Sequence, residues 1–152
     1  MTNVFHVTVD YSRTPEQMME AAGCKKAFPT ELFPNKSGVE EIEIIFMQFN
    51  VRATLPMIRA KMRTYKRRGC NVAELLALVE ACRSTVGTDK IVALGSWDSR
   101  EDGTQGFPAF DTSYFEMICD AQEDYDALTA NQRFFSAQPG FNESYRYAMV
   151  QK

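Results

Sequence analysis

The sequence predicts an α+β domain, a mixed sheet of about five strands with three main helices packed on one of its faces. Three observations carry that prediction. Segments with apolar residues at every second position are separated by segments with apolar residues at every third or fourth, the periods of a strand and a helix. Connections of hairpin length and of helix length are mixed, which suits a sheet with both neighbouring and crossover pairings. A chain of 152 residues, 45% hydrophobic and 24% charged, has the length of one core, so residues 1–152 are read as a single domain.

Val4 to Tyr11 (VFHVTVDY) sets Val4, His6, Thr8 and Asp10 against Phe5, Val7, Val9 and Tyr11, the pattern of a half-buried strand. Thr14 then offers an N-cap hydroxyl, Pro15 suits the first helical position and Gln17 completes a capping box, so a helix runs to Gly23. Pro29 and Pro34, bracketed by Phe28, Leu32 and Phe33, make residues 24–38 a packed loop. Val39 to Phe49 is the longest strand, its second half apolar on both sides. Thr54 caps a second helix that carries Leu55, Ile58, Met62 and Tyr65 on an otherwise basic cylinder, ended by Gly69. Asn71, with Glu74 three positions on, caps a third helix, apolar over more than one face. Ile91 to Leu94 reads as a core strand and Asp98 to Pro108 as a polar, Gly-containing loop. Strands follow at Tyr114–Cys119 and Tyr145–Val150, with a weak helix or turn over 127–136 before the break Gln138-Pro139-Gly140. The expected core includes Ile44, Phe46, Leu75, Leu78, Val79, Ile91, Val92 and Leu94.

Charge narrows the function classes. Seventeen Lys and Arg against 20 Asp and Glu leave a net charge of −3, which argues against a surface built wholly to grip nucleic acid. The four cysteines, Cys24, Cys70, Cys82 and Cys119, form no C-x-x-C pair and suggest reduced thiols and a cytoplasmic setting. The N-terminal residues show no basic region followed by an apolar one, and no run approaches the roughly 18 apolar residues of a membrane span.

Several segments together, FHVTVDYSRTPEQMMEAAG, VEEIEIIFMQFN, RRGCNVAELLALVEA and KIVALGSW, resemble a group of small uncharacterised bacterial proteins, common among candidate-phylum bacteria, in which a Glu-Leu-Leu-Ala helix precedes an Ile-Val-Ala-Leu-Gly-Ser strand. The likeness covers roughly residues 4–98. The chain departs from the group at Cys70-Asn71-Val72, where a Pro-Ala-Thr type entry is usual, and lacks its Trp-rich ending. The resemblance implies an autonomous fold and brings no catalytic residue with it.

The chemistry-bearing residues are sparse. His6 is the sole histidine, and a histidine in mid-strand reads as a partly buried, hydrogen-bonded side chain before it reads as half of a Cys-His pair. The scattered cysteines give no zinc spacing, Asp120, Gln122 and Asp124 fail the EF-hand register, and no phosphate-binding glycine motif is present; neither metal nor cofactor is expected. No catalytic residue is nominated.

Two charged segments remain. Arg52, Arg59, Lys61, Arg63, Lys66, Arg67 and Arg68 crowd one helix length without an acid, while residues 101–132 hold eight acids and no base. The pair of helices around Gly69-Cys70-Asn71 imitates a helix-turn-helix, but Glu74 and Glu80 on the second helix would face phosphates. Aromatic residues Trp97, Phe107, Phe110 and Tyr114 surround the Gly-containing loop. The reading is therefore a non-enzymatic protein-interaction or self-assembly module that uses Arg59, Arg63, Lys66 and Arg67 together with Trp97, Phe107, Phe110 and Tyr114. Its partner would be a protein or a second copy, with no membrane involved. The alternatives are a small carboxylate-dependent enzyme with Cys119 or His6 as an accessory group, and a nucleic-acid binder using helix 54–68.

Overall fold

In the computed structural model the described residues are 4–24, 28–49, 51–86, 90–99, 105–111, 114–119, 141 and 144–151. Strand β1 (Val4–Asp10) alternates exposed and buried as its sequence requires, and pairs antiparallel with β2 (Val39–Gln48). Between them α1 (Pro15–Ala21) starts from the Thr14–Gln17 capping box with Pro15 in its first turn. A single 3-10 turn at Thr30–Leu32 stands in the packed loop. The second helix, α2 (Leu55–Thr64), is capped by Thr54, and α3 (Val72–Cys82) by a reciprocal Asn71–Glu74 capping box.

The α+β class holds, but the sheet has eight strands among the described residues rather than about five. The excess comes from short pieces. Strand β3 (Arg67–Gly69) pairs with β8 (Arg146–Gln151), and β5 (Asp98–Ser99) pairs with β6 (Gln105–Asp111). With β4 (Ile91–Val92) and β7 (Tyr114–Cys119) the order is β1-β2-β8-β4-β6-β5, with β3 on β8 and β7 on β6. β8 is central: antiparallel to β2 along one edge, and along the other parallel to β4 and then antiparallel to β3.

Helices cover both faces, which corrects the one-face expectation. Along β8 the side chains alternate between two cores: Ala148 and Val150 join Leu75, Leu78 and Val79 of α3, whereas Tyr147 and Met149 join Ile58 and Met62 of α2. A central strand covered on both sides must be apolar at consecutive positions, and RYAMVQ is. The expected core residues are all buried except Phe46, which is half-buried against Phe5 with ring centroids 5.1 Å apart.

Two further expectations are corrected. The basic helix does not reach residue 68: it stops at Thr64, and Lys66 takes a left-handed φ of 56° that turns the chain into β3. The segment read as a polar loop up to Pro108 contains β5 and much of β6. Pro108 is tolerated in mid-strand, where its carbonyl accepts from the Ala93 amide at 3.0 Å. The weak helix or turn over 127–136 and its Gln-Pro-Gly break lie outside the described residues.

Candidate functional site

At the end of α2 the chain doubles back through Lys66 into β3, and β3 lies against the bend that follows β4. The two segments meet at Gly69 and Gly95. The Gly95 amide donates to the Cys70 carbonyl at 2.7 Å, and a Cβ on Gly69 would stand only 2.9 Å from the Gly95 nitrogen. Only residues without a side chain allow this approach. It sets the basic end of α2 beside Trp97.

Between them opens a cleft of about 490 Å³. Arg59 and Arg63 of α2 and Arg67 and Arg68 of β3 line it, with Trp97, Gln105, Met62 and Leu94. Among the described residues no carboxylate lines it. The Arg59 guanidinium lies over the Trp97 ring, 5.7 Å from its centroid, while the ring stays half exposed. Arg67 Nη1 is buried and has no hydrogen-bond partner among the described residues.

Arg68 is the exception among these cations. Its Nη1 and Nη2 donate to the two oxygens of Glu74 at 2.8 and 2.7 Å, and Glu74 is fully buried. The same carboxylate accepts the Asn71 amide at 2.8 Å, and the Asn71 side chain accepts the Glu74 amide and donates to the Tyr11 hydroxyl. The Ser96 hydroxyl accepts from the Val72 amide and donates to the Leu32 carbonyl. The hydrogen bond to Glu74 raises the Arg68 pKa further, and burial, the largest cause, raises that of Tyr11. A closed polar network therefore fixes one wall of the cleft to the first turn of α3.

The proposed binding residues divide accordingly. Arg59, Arg63, Arg67 and Trp97 come together. Lys66 is exposed but does not line the cleft, and Tyr114 is exposed at the β6–β7 turn, away from it. Phe107 and Phe110 are corrected: each is 1% exposed, on opposite faces of β6, with Phe107 packed edge-on to Phe141 and Phe110 against Phe115. They are core residues. Sequence reasoning missed Arg68 and Gln105 as lining residues; the Asn71–Glu74 capping box was the one local signal that Glu74 is tied down rather than displayed.

The enzymatic residues are dispersed. His6 is exposed on the open face of β1, 3.6 Å from Glu43, not partly buried as expected. Cys24, Cys70 and Cys82 pack with the core on the other face and form no disulfide, so none of the three can pair with it. Burial drives the Cys70 pKa well up, which leaves the thiol an inert hydrophobe. Most of the acidic run lies outside the described residues, as does the Cys119 side chain; within it Glu116 pairs with Lys90 at 2.6 Å. Among the described residues no group of three His, Cys, Asp or Glu converges as a metal site, and no helix is long and apolar enough to cross a membrane.

A second cleft, about 570 Å³ between β1 and α3, differs in kind. Its arginine is paired, Arg13 with Glu80 at 2.9 Å, and Ser12 donates to the Asp10 carboxylate, leaving walls of Ala73, Leu76 and Ala77. The arginine cleft alone of the two combines a hollow with arginines that have no ion pair among the described residues. Neither family models, nor curated proteins, nor solved structures match this chain.

Proposed function

We propose that this protein works by binding rather than by catalysis, and that it holds the anionic groups of a partner in the cleft between α2, β3 and the 94–97 bend. The observation that carries this reading is the convergence of Arg59, Arg63 and Arg67 in a hollow that no carboxylate lines among the described residues. Guanidinium forks suit planar oxyanions, and the low-dielectric walls beside them strengthen the attraction. The expectation of a protein partner or a second copy is retained in narrower form: such a partner docks through oxyanions, and a second copy has them in the acidic sequence 101–132. The aromatic half of the expected surface reduces to Trp97. A cytoplasmic setting belongs to the same reading and rests on the cysteine usage.

Trp97 is the chain's only tryptophan, so its fluorescence reports on the cleft directly. Heparin or a hexaglutamate peptide should change that fluorescence at low salt and lose the effect at high salt. Replacing Arg63 and Arg67 by Glu should abolish the change with little effect on melting temperature, whereas Lys66→Glu, outside the cleft, should behave as the parent. If the double variant responds as the parent does, the reading is wrong.

A further inference from the structure

We infer that the occupant of the arginine cleft is a nucleoside phosphate, its base stacked at Trp97 and its phosphates held by Arg59, Arg63 and Arg67. The inference rests on the binding reading above and narrows it to one ligand chemistry.

Charge is the first argument. The cleft's own wall shows what a single carboxylate satisfies: Glu74 takes both outer nitrogens of one arginine, Arg68. Three further guanidiniums face the same hollow, and among the described residues no acid lines it. One carboxylate, with a single charge and two acceptor oxygens, leaves most of that capacity unused. A phosphate group carries about −1.5 to −2 with three outward oxygens, and a short phosphate chain multiplies both. The cations are all arginine in the cleft, the type whose fork meets two phosphate oxygens at once. The buried Arg67 Nη1 supplies a donor with no acceptor among the described residues.

Shape is the second. Phosphate alone would need no aromatic wall, yet Trp97 stands half exposed at the same opening with Arg59 above its ring. An exposed indole beside a cation is a platform for any nucleobase, because every base has a π-face. Gln105, half-buried in the same lining, makes no side-chain hydrogen bond among the described residues and can offer a donor and an acceptor to a base edge. The volume of about 490 Å³ lies within the range of about 300–1,000 Å³ typical of small-molecule sites.

A free nucleotide and a single-stranded nucleic acid share this chemistry, and an acidic protein does not. The test is a titration of the full-length protein, followed by Trp97 fluorescence and by calorimetry, with ADP, adenosine, inorganic phosphate, a dT8 oligomer and hexaglutamate. ADP is expected to bind at least tenfold more tightly than adenosine or phosphate alone. Trp97→Ala, read by calorimetry, should weaken ADP at least tenfold, and so should Arg63→Ala with Arg67→Ala, while Trp97→Phe largely retains it. A dT8 affinity much above that of ADP, with a steeper salt dependence, assigns the chemistry to a strand; the reverse assigns it to a free nucleotide. Binding of hexaglutamate but not of ADP or dT8 overturns this inference and leaves the anion-binding reading standing. No response to any anion overturns both.

Discussion

Replacing Gly95 by alanine tests the contact on which the cleft depends. The added Cβ would lie 2.7 Å from the carbonyl carbon and oxygen of Cys70 and inside van der Waals contact with the Gly69 oxygen. Ordinary contact begins near 3.4 Å, so the two backbones must part by about 0.7 Å at Cys70 and by more at Gly69. Neither is free to do so, because the Cys70 amide is bonded to Ala148 at 3.0 Å and its carbonyl accepts the Gly95 amide at 2.7 Å. Overpacking absorbed by side chains costs about 1–3 kcal/mol; where backbone must yield, the upper end applies, about 3 kcal/mol or more. Gly69→Ala meets its neighbours at 2.9 to 3.0 Å and should cost less, and Gly106→Ala meets the end of Met117 at 3.4 Å and backbone oxygens at 3.8 and 3.9 Å, ordinary contacts, and should fall within about 1 kcal/mol. Urea unfolding followed by circular dichroism and Trp97 fluorescence ranks the three. A Gly95→Ala protein within about 0.5 kcal/mol of the parent would refute the tight crossing and the cleft geometry built on it.

Lys66 holds the left-handed position that follows α2, where a glycine avoids a strain of about 1–2 kcal/mol, so Lys66→Gly should raise the melting temperature; a fall would show the side chain to be stabilising. Leu78→Ala empties a fully buried site of α3 and should cost about 2–5 kcal/mol in urea unfolding, with less than 1 kcal/mol contradicting the packing described. Stability should decline in alkali. The buried Cys70 thiol keeps its proton in the folded state beyond its ordinary value of 9.0, whereas the unfolded chain releases it, so folding stability is complete below about pH 9 and lost as pH rises above it. Tyr11, also raised by burial, extends the decline above its ordinary value of 10.0. Cys70→Ala should flatten the first part of the slope, and a parent equally stable at pH 8 and pH 10 would sink the argument.

What could be read from the sequence was local. Both capping boxes, at Thr14 and Asn71, depend on residues three positions apart, and the alternation of β1 and β2 depends on residues two apart. Strands β3 and β5 contain three and two residues, too few for any period to appear; they exist because β8 and β6 offer them edges. Arg67 and Arg68 continued the charge of α2, which hid the left-handed turn at Lys66 between them. Gly106 and Pro108 have the punctuation of a loop, so Phe107 and Phe110 looked like loop aromatics, although the two cores on opposite faces of β6 bury one each. The two-faced arrangement of helices was hidden for a related reason: the alternation in RYAMVQ runs between two apolar faces, so period alone cannot say which face a helix covers.

The site was legible as a set of residues and illegible as a place. Arg59, Arg63, Arg67 and Trp97 could all be singled out, but only the Gly69–Gly95 crossing gathers them. Their arrangement is unfavourable on its own terms. Arg59 and Arg63 are like charges four apart on one helix, which costs a few tenths of a kcal/mol, and a buried donor such as Arg67 Nη1 without a partner costs about 1–3 kcal/mol. The chain has the means to neutralise an arginine, as Glu74 does for Arg68 in the same wall, so the lack of an acid beside the other three among the described residues is not forced by the fold. The hydrogen bonds of Glu74, Asn71, Tyr11 and Ser96 hold the wall from which Arg67 and Arg68 project. Where local choices disagree with stability and the surrounding network preserves the disagreement, the proposed anion supplies a reason: on entering the cleft it would remove the repulsion and satisfy the orphaned donor at once.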